Sequence, residues 1–188
     1  MKLRKWLTAL LLAAGLLCVF GCGGKKSGGK SDDKKAGSPS AVVREFTAAI
    51  KKADFDTVAK LCHGELKENM EEYAEAQEKV ITSLEKAAQD GNEKAEKLLE
   101  KCEQYGYIEI LKAGAEDGVE ECQKALKVVR NFDVEIKGET IDGDLAVVDV
   151  VVSGTPDGED GPDKVYLKKV GGEWKIISDD DYAREKAK

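Results

Sequence analysis

The apolar positions of this chain change period twice. From Leu7 to Phe20 they form an almost unbroken run. From Pro39 to Arg130 they recur every three or four residues, and from Asp133 to Ile177 they alternate or cluster in short blocks bounded by Gly. These three regimes predict an apolar leader, a helical half and a β half.

The helical half starts at Ser38-Pro39, a capping residue followed by a proline suited to the first helical position. Val42, Val43, Phe46, Ala49 and Ile50 then share one face. Asp54 restarts the chain as a cap, and Phe55, Val58, Leu61 and Cys62 form the next face, ended by Gly64. A long amphipathic pattern runs from Glu65 to Gln89 and breaks at Asp90-Gly91-Asn92. A further helix is predicted from about Glu93 to Tyr105, with Ala95, Leu98, Leu99 and Cys102 inward. The last spans about Glu116 to Arg130, with Val119, Cys122, Leu126 and Val129 inward. Residues Gly106–Gly118 read as a linker between these two.

In the β half, Val134 and Ile136 alternate with polar residues, and Asp142-Gly143 signals a tight hairpin. Leu145–Val152 is nearly all apolar and β-branched, as a central strand should be. Gly154–Asp163 reads as a polar loop. Val165–Val170 and Glu173–Ile177 are predicted strands joined by Gly171-Gly172. The fold class expected is α+β, a helical N-terminal half packed on one face of a four-stranded antiparallel sheet. Asp179-Asp180-Asp181 reads as the start of a frayed, charged tail, residues 179–188.

Charge divides the chain into unequal parts. Residues 23–40 are Gly, Ser, Lys and Asp with one Pro and almost nothing apolar beyond Ala36, the composition of a flexible tether. Five lysines (25, 26, 30, 34, 35) face Asp32 and Asp33 there, a net of +3. Residues 41–188 hold 22 basic and 35 acidic residues, a net of −13. A domain so acidic is repelled by nucleic acid, which is excluded as a partner. The basic tether is suited either to anionic headgroups or simply to staying soluble.

The leader is short. Its apolar run has 14 residues, whereas a membrane-spanning helix needs about 20. Lys2, Arg4 and Lys5 precede it, and Val19-Phe20-Gly21-Cys22 ends it. A positive start, an apolar segment and a small residue at the cut are the parts of a secretory signal. With Cys directly after the cut, the segment resembles a bacterial lipoprotein signal. The resemblance implies a signal peptide over residues 1–21, lipidation of Cys22 with palmitate-type chains, and a tether over residues 22–37. It further implies a membrane-anchored lipoprotein of the cell envelope, facing the periplasm or the exterior.

The folded part, residues 38–178, carries a second resemblance. Ser38-Pro39-Ser40-Ala41-Val42-Val43-Arg44-Glu45-Phe46, followed by Lys51-Lys52-Ala53-Asp54-Phe55-Asp56, resembles the opening of nuclear-transport-factor-2-like (cystatin-like cone) domains. Gly143–Val148 and Val165-Tyr166-Leu167-Lys168-Lys169-Val170-Gly171-Gly172-Glu173-Trp174-Lys175-Ile176 are similar to that family's closing hairpins. The stretch of about 65–130 is longer than the equivalent in small members and reads as a helical insertion. The resemblance implies a cone that either binds a ligand or, in enzymes, holds Asp/Tyr or His/Asp pairs.

No such pair is placed by sequence. His63 stands at the end of a predicted helix, where it serves the last carbonyls. The acidic loop Asp157–Asp163 has dense oxygen ligands but fails the calcium-loop register, since Pro162 falls where Gly is required. Neither metal nor cofactor is expected. Cys62, Cys102 and Cys122 all fall on apolar helix faces. An extracytoplasmic address permits a disulfide, and Cys102–Cys122 is the favoured pair, against three buried thiols. The function expected is a non-enzymatic, lipid-anchored domain that binds a ligand or an envelope protein. A cone-type enzyme and a purely structural envelope protein are the alternatives.

Overall fold

The computed structural model describes residues 37–155 and 160–188. Helix α1 (Pro39–Lys51) begins as its sequence dictates. Ser38 Oγ accepts from the Ala41 N–H at 3.2 Å, with Pro39 in the first turn. Helix α2 (Phe55–Leu61) is capped by Asp54, whose carboxylate accepts from the Thr57 N–H and hydroxyl. Helices α3 (Glu65–Gln89) and α4 (Glu93–Tyr105) follow, with Asn92 capping α4.

The chain between Gly106 and Gly118 is not a linker. It holds a further helix, α5 (Ile108–Glu116), and the next helix, α6 (Glu120–Asn131), starts four residues later than expected. Gly114 lies inside α5 and depresses its helix signal. The structure gives that glycine a packing reason. A Cβ there would stand 2.5 Å from the Cys122 Sγ, so α5 and α6 approach more closely than any side chain allows.

Strands β1 (Asp133–Asp142), β2 (Leu145–Ser153), β3 (Gly161–Val170) and β4 (Glu173–Ile177) form one antiparallel meander in the order 1-2-3-4. The helices stack as sequential neighbours, from α1 on α2 round to α5 on α6, and α6 returns to α1. They cover one sheet face, as the patterning predicts. The fold is α+β.

That covered face holds the core. Val148, Val150, Val165, Leu167 and Ile176 are buried against Val43, Phe46, Ile50 and Val129 of α1 and α6. Each large side chain so buried contributes about 1.5–3 kcal/mol. Phe132, at the junction of helices and sheet, is 1% exposed.

Residues 179–188 are not a frayed tail. Helix α7 (Asp179–Lys186) follows β4 through the single residue Ser178, whose Oγ accepts from the Asp181 N–H at 3.1 Å. Three aspartates in its first turn and Arg184 and Lys186 in its last suit the helix dipole. It packs on the opposite sheet face. Tyr182 stacks on Tyr166 with ring centroids 4.6 Å apart, and Glu185 pairs with Lys168 at 3.0 Å.

Candidate functional site

A cone-type site would lie between the helices and the covered face of the sheet. A β-bulge shapes that face. Before it, Val134 and Ile136 stand opposite Val152 and Val150, and after it Glu139 and Ile141 stand opposite Val148 and Ala146. The shift between Ile136 and Gly138 therefore changes which residues of β1 face inward. It turns Glu139 to the helix side, where its Oε2 accepts from the Ser40 N–H at 3.0 Å and the Ser40 hydroxyl at 2.5 Å. Those are free groups of the first turn of α1, where an anion is favoured.

The remaining inward positions are apolar through the middle of the sheet. Polar inward side chains stand at its margins: Glu139 on the edge strand, Asp163 near the start of β3 and Lys169 over the Trp174 ring. Among the described residues, the buried polar side chains are Ser40 and Thr47, and Thr47 returns its hydroxyl to the Val43 carbonyl. Among the described residues, the inward side chains at the middle of the sheet are thus hydrocarbon, and at the margin one carboxylate oxygen, Asp163 Oδ2, is buried without a hydrogen-bond partner.

The Cys62–His63 turn has a structural role. Cys62 bridges to Ile176, and the His63 N–H donates to the Ile176 carbonyl at 2.9 Å. This turn covers the outer edge of β4, which would otherwise be a free strand edge. The His63 side chain is exposed. Cys62 is 2% exposed, and burial pushes its thiol up to about 12, with Lys175 pulling the other way. A thiol so desolvated stays protonated at neutral pH and is no nucleophile.

Cys62 and Cys122 are buried and Cys102 is half-buried, all three on helix faces or ends. Cys102 lies within the field of Glu109 at one end of α5, while Cys122 packs against Gly114 further along it. Helices α4 and α6 both rest on α5.

Cys22 and the leader lie outside the described residues, as do Asp157, Gly158 and Glu159 of the acidic loop. Of that loop, Asp160 accepts from the Thr155 N–H and hydroxyl, each at 3.0 Å, which holds its carboxyl below the usual range. Among the described residues, no group of three or more His, Cys, Asp or Glu side chains is placed to hold a metal. No described helix is long and apolar enough to cross a membrane.

The contact that sequence reading missed is Glu139–Ser40. Its one sequence signal is Gly138 within an otherwise alternating strand, a mark of a bulge.

No family model matches the chain, and no curated protein matches it. Among solved structures it is similar to a Campylobacter jejuni protein provisionally named an NTF2-like transpeptidase. The match covers 76% of this chain and 99% of that one, at 13% identity and a TM-score of 0.35. A likeness at that level carries no argument about residues or activity.

Proposed function

We propose that this chain is a lipid-anchored protein of the bacterial cell envelope. Its folded part, a nuclear-transport-factor-2-like cone with a helical insertion, is a non-enzymatic binding domain. The observation that carries the anchor is Cys22 itself, set between a 14-residue apolar run and a Gly-Lys-Ser tether. A single acyl chain binds membranes only marginally, but a diacylglyceryl cysteine meets the two-chain requirement for stable anchoring. The tether then holds the domain within about 2 nm of the bilayer surface.

The apolar inner face of the sheet supports the non-enzymatic reading. An enzyme of this architecture needs polar groups converging on a space that a substrate can enter. Here Val148, Val150, Val165, Leu167 and Ile176 occupy that position, all 5% exposed or less. Binding is therefore assigned to the outside of the domain rather than to its interior.

The test is Cys22→Ala, followed by metabolic palmitate labelling and membrane fractionation in a bacterial host. Loss of label and release from the membrane is the expected result. Unchanged labelling contradicts the anchor.

A further inference from the structure

The α3–α4 hairpin buries unusually little. The fully buried side chains of α3, Leu66 and Met70, lie in its first two turns, and Ala95 alone is buried on α4. Beyond Gln77 the facing residues are apolar yet only half-buried: Val80, Ile81 and Leu84 on α3, Leu98 and Leu99 on α4. Leu98, Cys102 and Tyr105 share a face of α4 at spacings of four and three residues. Tyr105, 57% exposed, therefore prolongs the apolar seam to the end of the helix. Helix α4 also rests on α5, yet these apolar side chains stay half-buried, which leaves room for a further helix on the seam.

Its rim is predominantly acidic. Residues 65–105 hold twelve acidic side chains and six lysines, a net of −6. Glu75, Glu78 and Glu85 on α3, and Glu96, Glu100 and Glu103 on α4, form no ion pair with a described residue. Nearby lysines that are paired go elsewhere: Lys67 to Glu71, Lys97 to Glu93, Lys94 to Asp117.

We infer that the α3–α4 seam is a docking surface for a cationic amphipathic helix of another protein. The inference rests on the binding-domain reading and names its partner chemistry. Three occupants compete, and chemistry separates them. A second copy would set −6 against −6 and be repelled. The chain's own tether has the right sign at +3, but its Gly, Ser, Lys and Asp side chains cannot fill an apolar seam. A helix with apolar residues at i, i+3, i+4 and i+7, and lysine or arginine on its flanks, satisfies both seam and rim.

The test uses the full chain in detergent and a labelled Leu/Lys helix of about 18 residues, five turns, read by fluorescence anisotropy. Four comparisons accompany it: a Leu/Glu helix of the same pattern, a peptide of residues 23–37, two pairs of charge reversals, and Tyr105→Ala. The Leu/Lys helix should bind about tenfold or more tighter than the Leu/Glu helix. E78K/E85K and Tyr105→Ala should each weaken it severalfold with unchanged thermal unfolding, while the matched reversal E45K/D142K should leave it unaltered. Equal weakening by both double reversals means diffuse attraction and overturns the seam, leaving the binding-domain reading intact. Competition by the tether peptide as strong as by the Leu/Lys helix, or self-association abolished by Tyr105→Ala, overturns it in favour of the other occupants. Failure of the Cys22 labelling test removes the anchor and leaves the seam's affinity untouched.

Discussion

Glu139 on β1 accepts two hydrogen bonds from Ser40 on α1, one from its backbone N–H and one from its hydroxyl. The contact joins residues 99 positions apart. It fastens the sheet to the N-terminal end of α1. Glu139→Ala leaves two first-turn donors to water and removes a favourable charge from the helix end. Because the site is partly exposed, the expected loss is about 1 kcal/mol. Ser40→Ala, which spares the backbone donor, should cost less. Urea unfolding of both variants measures the order, and a larger effect for Ser40→Ala contradicts it.

Two glycines mark close approaches of backbone. At Gly154 the φ is +72°, and a Cβ would lie 2.0 Å from the Asn131 carbonyl oxygen. Gly154→Ala combines left-handed strain with a clash against backbone and should cost about 3 kcal/mol or more. At Gly114 the obstacle is the Cys122 Sγ, a side chain that Cys122→Ala removes. Gly114→Ala should destabilise alone and be partly rescued in the double variant, as read by thermal unfolding. Gly154→Ala has no such rescue.

Ala53 occupies a left-handed conformation, φ +54°, with its side chain fully buried. Its carbonyl accepts from Gln77 Nε2 at 2.7 Å, which ties this turn to α3. Glycine relieves the backbone strain but adds freedom to the unfolded chain, so Ala53→Gly should fall within about 1 kcal/mol of wild type. Ala53→Val adds a β-branched, overpacked side chain and should lose about 3 kcal/mol. Equal stability of the two variants contradicts the positive φ.

Stability should fall on both sides of neutrality, for different residues. The Lys51 ammonium, 2.6 Å from Asp133, holds that carboxyl below its ordinary 3.8. The folded state then prefers the ionised form. Its stabilising effect is present above pH 3.8 and disappears as pH falls through the lowered value. Lys51→Met should flatten that acid limb. The Cys62 thiol shifts the other way, from 9.0 to about 12. Above pH 9 the unfolded chain ionises this thiol while the folded one does not, so stability declines between 9 and about 12. Cys62→Ala should remove that part of the alkaline decline in unfolding measured across pH.

Alkylation of the unreduced protein in denaturant should modify Cys62, Cys102 and Cys122. Without denaturant Cys102, the half-buried one, should react first. Modification of a single described cysteine would show a disulfide between the other two.

How much of this was legible in the sequence depended on how locally each feature is encoded. Ser38-Pro39, Asp54 and the four strands carry their signals within a few residues, and the structure places them as read, except that β3 begins at Gly161, inside the stretch read as a polar loop. Helix α5 was hidden because Gly106, Gly114 and Gly118 punctuate it, and the reason for Gly114 is a distant side chain, Cys122. Helix α7 was legible in principle: Ser178, three first-turn aspartates and two last-turn cations are its capping signature. Read without the Tyr166–Tyr182 contact, the same residues are a solvated tail. The Glu139–Ser40 contact depends on a bulge that no short window contains.

The lipid anchor is tested most directly by the intact mass of the chain purified from bacterial membranes. A lipoprotein predicts loss of residues 1–21 and a first residue, Cys22, carrying the added mass of a diacylglyceryl group and an amide-linked acyl chain. A chain that retains its leader, or that begins elsewhere with Cys22 unmodified, contradicts it.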